Sequence, residues 1–75
     1  MILPDKLFSY NESVLSKFPI VLRELKKSSV DAAELYHAVK NKMADVSEFI
    51  EVLDCLYVLG KIEYDSDAEL LRYVS

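Results

Sequence analysis

The chain has 75 residues, nine Lys/Arg against 13 Asp/Glu for a net charge of −4, one glycine and one cysteine. That length allows a single domain whose core is marginal alone, because a chain this short buries only about 60% of its unfolded surface. A composition of 52% hydrophobic and 29% charged residues excludes disorder and fibrous repeats. A lone cysteine excludes an internal disulfide framework, and a lone glycine excludes a Gly-rich phosphate loop. No charged-then-apolar leader opens the chain and no apolar run nears ~18 residues, so a soluble, cytoplasmic protein with no membrane role is the expectation.

Residues 1–8 read as an extended arm. Met1, Ile2 and Leu3 are apolar, Pro4 follows, and a residue ahead of proline prefers extended backbone. The domain proper spans residues 9–75. Ser9 and Glu12 have capping-box spacing. Val14, Leu15, Phe18, Val21, Leu22 and Leu25 then form one stripe at helical spacing. Pro19 lies inside that pattern and should split or kink the helix near Lys17. Ile20 falls opposite the stripe, either re-aimed by the proline or exposed.

Ser28-Ser29 ends the first helical region, and Val30 has room for a strand of one or two residues. Asp31 with Glu34 is a second cap signal. Ala32, Leu35, Tyr36, Val39 and Met43 predict the buried face of a second helix ending around Asn41. Asp45 with Glu48 is a third cap signal. Residues 46–59 then read as the last helix, with Val46, Phe49, Ile50, Leu53, Leu56 and Tyr57 on an expected core face. Gly60 suits the left-handed position that ends a helix. Ile62 and Tyr64 alternate with Lys61 and Glu63 as a strand. Asp65-Ser66-Asp67 is a turn, and residues 69–74 return as the partner strand, with Leu71 and Tyr73 on one face and Arg72 on the other. The expected fold is mostly α with a small β-hairpin: helix, short strand, helix, helix and a two-stranded wing, a single winged-helix-like domain.

Charge sharpens the functional reading. Residues 1–43 hold seven Lys/Arg and five Asp/Glu, whereas residues 44–75 hold two and eight. In a DNA-binding winged helix the last helix enters the major groove and should be basic or amide-rich. Here Glu48, Glu51 and Asp54 are expected on its outer face, with no Lys or Arg between Asp45 and Gly60. Phosphates would be repelled. The plain reading of these carboxylates is a solvated face that keeps a small protein soluble. The sharper one is a face that meets a basic patch on another protein, with Val52, Cys55 and Val58 among the acids or at their margin as apolar contacts.

Lys17, Arg23, Lys26, Lys27, Lys40 and Lys42 are the positive clusters. Most sit near helix ends, where cations complement the helix dipole. His37 falls on the outer face of the second helix, and Cys55 is expected half-buried or at an interface. One His and one Cys on different helices do not make a zinc site, and a nucleophilic thiol would need a base beside it. Carboxylates occupy caps, turns and a helix face, with no visible apolar pocket for acid–base work. The expectation is therefore no catalytic, metal or cofactor site and no enzymatic activity.

Two segments carry a resemblance. The start, Met1-Ile2-Leu3-Pro4-Asp5-Lys6, resembles the Met-Ile-Leu-Pro-x-Lys opening of the short middle components of bacterial ABC-three-component systems. Phe49-x-x-x-Leu53-Asp54-x-Leu56-Tyr57-x-Leu59-Gly60-x-Ile62-Glu63 is similar to the same family's helix-into-strand signature. Residues 13–20, with Pro19, depart from a pattern in which small residues and glycines follow the first cap. The resemblance implies a Lamassu-like anti-phage defence system, in which an SMC/Rad50-like ATPase is paired with a small middle subunit and an effector, often a nuclease. The middle subunit would bridge or regulate without chemistry of its own.

Together these readings lead to a non-catalytic adaptor. Ile2, Leu3 and Phe8 would form an apolar arm that adds to a partner's sheet edge. Glu48, Glu51, Asp54 and Val58 would meet a basic partner surface, with no sequence-specific nucleic-acid binding. Two other readings are a small winged-helix DNA-binding transcriptional regulator using Arg23, Lys26 and Lys27, and a structural homodimer.

Overall fold

The computed structural model describes residues 12–74. The expected arm over residues 1–8, including Ile2, Leu3 and Phe8, and the Ser9 cap lie outside the described residues. Among these, the order is α1 (Glu12–Ser16), α2 (Phe18–Lys27), α3 (Ala32–Val39), a 3-10 turn (Lys40–Lys42), α4 (Val46–Val58), β1 (Ile62–Asp65) and β2 (Leu70–Tyr73). The chain is mostly helical with one antiparallel hairpin, as the sequence predicts.

Proline separates α1 from α2. Pro19 occupies the first turn of α2, where its missing N–H would have no intrahelical partner anyway. The Lys17 N–H donates to the Val14 carbonyl at 3.1 Å, and the Lys17 carbonyl accepts from Ile20 at 3.1 Å and Val21 at 3.3 Å. The break re-aims Ile20, which is half-buried and packs against the core. Val21 and Leu25 of α2 are buried, and Phe18 and Leu22 are half-buried beside them. Leu15, expected on the same stripe, is exposed.

Helices α3 and α4 each begin on an aspartate. The Asp31 Oδ1 accepts the Glu34 N–H at 2.7 Å, and the Asp45 Oδ1 accepts the Glu48 N–H at 2.9 Å. Each satisfies a backbone donor that the first helical turn leaves open. Leu35, Val39 and Met43 are buried, but Ala32, expected with them, is exposed. Helix α3 stops at Val39 and tightens into the 3-10 turn, which carries the chain to the residue where the sequence pattern ends. The Tyr36 and Phe49 rings meet at 5.0 Å and 56°, joining α3 to α4, in the tilted arrangement that the ring quadrupoles favour.

Gly60 ends α4 with φ 75°. Its N–H donates to the Tyr57 carbonyl at 3.0 Å, and the Lys61 N–H reaches back to the Leu56 carbonyl at 2.9 Å. This pair of bonds is the Schellman motif, which closes the helix and turns the chain into β1. β1 and β2 pair with Ile62 opposite Tyr73 and Tyr64 opposite Leu71. The connecting turn is pinned by the Asp65 Oδ1, which accepts from the Asp67 and Ala68 N–H groups. Val30 adds an isolated antiparallel bridge beside the two-stranded sheet: it pairs with Leu71, whose N–H donates to the Val30 carbonyl at 2.8 Å. Ile62 and Leu71 close the core under the helices, while Glu63 and Arg72 pair on the outer face of the hairpin.

Candidate functional site

Helix α4 packs on a different face from the one its sequence pattern predicts. The sequence places Val46, Phe49, Ile50, Leu53, Leu56 and Tyr57 on the core side. The buried residues of α4 are instead Glu48, Phe49, Val52, Cys55 and Leu56. The face is displaced by one residue, about 100° around a helix of 3.6 residues per turn. Phe49 and Leu56 belong to both faces. Val46, Ile50 and Tyr57 turn to solvent, at 54%, 48% and 63% exposure, with Leu53 half-buried beside them.

Glu48 is the correction that follows. It was expected on the outer face, yet it is 9% exposed. Its Oε1 accepts from the Lys17 Nζ at 3.0 Å and from the Ala44 N–H at 2.9 Å. A buried carboxylate needs both a counter-charge and hydrogen bonds to offset its lost hydration. Lys17, at the break between α1 and α2, supplies the counter-charge. The pair is a brace between the first helical region and the start of α4. Glu48 is thus buried in an ion pair and not on the outer face, and Lys17 is half-buried with it.

Glu51, Asp54 and Val58 are exposed as expected. On the helical wheel Asp54 borders the Val46–Ile50–Leu53–Tyr57 stripe, and Glu51 and Val58 lie one step further round. Val52 and Cys55, placed among the acids or at their margin in the sequence reading, are core residues. The surface is thus an apolar stripe with an acidic edge; Val46, Ile50 and Tyr57 were expected in the core and are exposed, whereas Leu53 packs against the core as expected. The signal available was the pair of overlapping apolar sets one residue apart, each complete enough to bury.

Several of the basic side chains among the described residues have partners of their own. Lys17 is bound to Glu48, and Lys27 pairs with Glu24 at 3.1 Å. Lys26 sits 5.1 Å from the centre of the Tyr73 ring, a cation–π contact that ties α2 to β2. Arg23 and Lys26 edge a surface depression of about 360 Å³ whose other walls are Phe18, Pro19 and Leu22. His37 is exposed on α3 and Cys55 is buried. No group of three His, Cys, Asp or Glu among the described residues is placed to hold a metal ion, and no helix among them is long and apolar enough to cross a membrane.

The described residues form a small winged-helix-like domain that presents an apolar stripe beside the carboxylates of Glu51 and Asp54. The family comparison is more specific. The model of the ABC-three component (ABC-3C) system Middle Component 7 family matches residues 3–71, and the chain belongs to that family. Neither the curated proteins nor the solved structures give a significant match.

Proposed function

We propose that this chain is a non-catalytic adaptor in a prokaryotic anti-phage defence complex, where it bridges or regulates an SMC-like ATPase and an effector. Family membership over residues 3–71 supports the role of a subunit among partners. The observation that carries the adaptor reading is the solvent-facing apolar stripe of α4. Val46, Ile50 and Tyr57 lie together along one face of the helix, and a contiguous exposed apolar stripe rimmed by charge is the kind of surface that marks a docking site. The acidic edge weighs against the DNA-binding regulator, because Glu51 and Asp54 stand where phosphates would approach. On this reading the protein works in the cytoplasm.

The test is co-expression of the chain with the other two components encoded in its system. The expected result is a complex that co-purifies at defined stoichiometry and an ATP hydrolysis rate that changes several-fold when the chain is left out. Separate migration of the chain, with ATP turnover unaffected by it, would refute the adaptor role. Salt-sensitive binding of the isolated chain to duplex DNA, dependent on Arg23, Lys26 and Lys27, would favour the regulator instead.

A further inference from the structure

Resting on the adaptor reading, we infer that the α4 stripe seats one amphipathic helix of a partner protein, with an apolar face matched to Val46, Ile50, Leu53 and Tyr57 and Lys or Arg along the edge that meets Asp54 and Glu51. The stripe follows i, i+4, i+7 and i+11 spacing, the ridge that a second helix packs against. It runs about 16 Å at 1.5 Å per residue, which three turns of a partner helix would cover. The three most solvent-facing members are each about half exposed or more, on a helix whose opposite face is fully packed. Binding there therefore needs no rearrangement of the core.

Charge selects the occupant. Asp54 and Glu51 lie on one side of the stripe, and the other side leads back to Phe49 and its contact with Tyr36. Two copies of α4 packed antiparallel about a two-fold axis would bring both copies' Asp54 and Glu51 to the same edge of the interface. Like charges would then face each other at helix-pair distance. A parallel pair would instead bring together two helix N-termini with their Asp45 caps. A second copy is thus a poor occupant, and nucleic acid is worse because its phosphates share the sign of the edge. A foreign helix with a basic edge satisfies both the apolar stripe and the carboxylates.

The experiment uses the full-length chain co-expressed with its system's ATPase and effector. A photo-crosslinking p-benzoylphenylalanine replaces Ile50 in one variant and Tyr57 in another. The expected product is a crosslink from both positions to one partner segment with apolar residues at helical spacing and Lys or Arg beside them. Glu51→Lys with Asp54→Lys should weaken co-purification about tenfold, and a matching Lys→Glu change in the crosslinked segment should restore it. Ile50→Asp should weaken it about 30-fold, the loss expected at an interface hot spot of about 2 kcal/mol. Because Ile50 is half exposed, an unchanged thermal melt of the variant separates lost docking from lost folding.

Crosslinks from both positions to a second copy, to residues 1–11 of the same chain or to DNA would overturn the inference. So would an intact complex that crosslinks at neither position, which would leave the adaptor reading standing on another surface. Failure of any complex to form would remove the adaptor reading and this inference with it.

Discussion

The two faces of α4 are made of similar residues and have opposite fates. One face, with Phe49, Val52, Cys55 and Leu56, is almost completely buried. The other, with Val46, Ile50 and Tyr57, is at least about half exposed. Hydrophobicity alone does not choose between them, since Ile50 is as apolar as anything in the core. Tyr57 carries a hydroxyl that is costly to bury without a partner, and that weighs against its face. The chosen face takes Glu48 inward with it, and that is tolerable because Lys17 and the Ala44 N–H are in place to receive the carboxylate. An amphipathic helix with two apolar stripes can fold on one and dock on the other.

The comparison breaks most sharply at its buried end. Leu56→Ala should destabilise the fold by about 2–5 kcal/mol, the range for emptying a packed leucine site. Urea denaturation checks this, and a loss below about 1 kcal/mol would mean that this face is not the core. Glu48→Ala should cost about 1–3 kcal/mol by leaving the Lys17 ammonium and the Ala44 N–H without the carboxylate they share. The double replacement Lys17→Met with Glu48→Leu should recover much of that loss, because an apolar pair can substitute for a buried ion pair. A double-mutant cycle showing simple additivity would contradict the brace.

Smaller effects sharpen the same contrast. Gly60→Ala should cost about 1 kcal/mol, because a side chain disfavours the left-handed backbone that ends α4. Nothing lies within 4 Å of the added Cβ, so the loss is one of backbone conformation alone. At the exposed end, Ile50→Ala and Tyr57→Ser should change stability by no more than about 0.5 kcal/mol. The same thermal or urea melts report it. A loss of several kcal/mol at either site would mean that the stripe is packed within this chain, and no docking face would remain on α4.

Much of the fold was legible along the chain because its signals are local. Asp31 and Asp45 cap helices through donors three residues away. Pro19 breaks a helix within one turn, Gly60 supplies a backbone conformation of its own, and β1 alternates with a period of two. Even the pairing of Val30, an isolated bridge and not a full strand, could be anticipated from the Ser28-Ser29 break before it. The rotation of α4 could not be seen in this way. Glu48 reads as an outer-face acid until its distance to Lys17, 31 positions earlier, is known, and no helical wheel contains that residue. Val52 and Cys55 look marginal in the sequence beside Ile50 and Tyr57, yet they are the pair that packs into the core.

The order of elements, the helix ends, the hairpin and the acidic character of the second half were set by short-range chemistry, and the sequence alone contains them. Which side of α4 faces inward was settled only when α1, α2 and the hairpin came together around it. That choice depends on tertiary packing and on the long-range Lys17–Glu48 ion pair, both of which exist only after the chain has closed on itself.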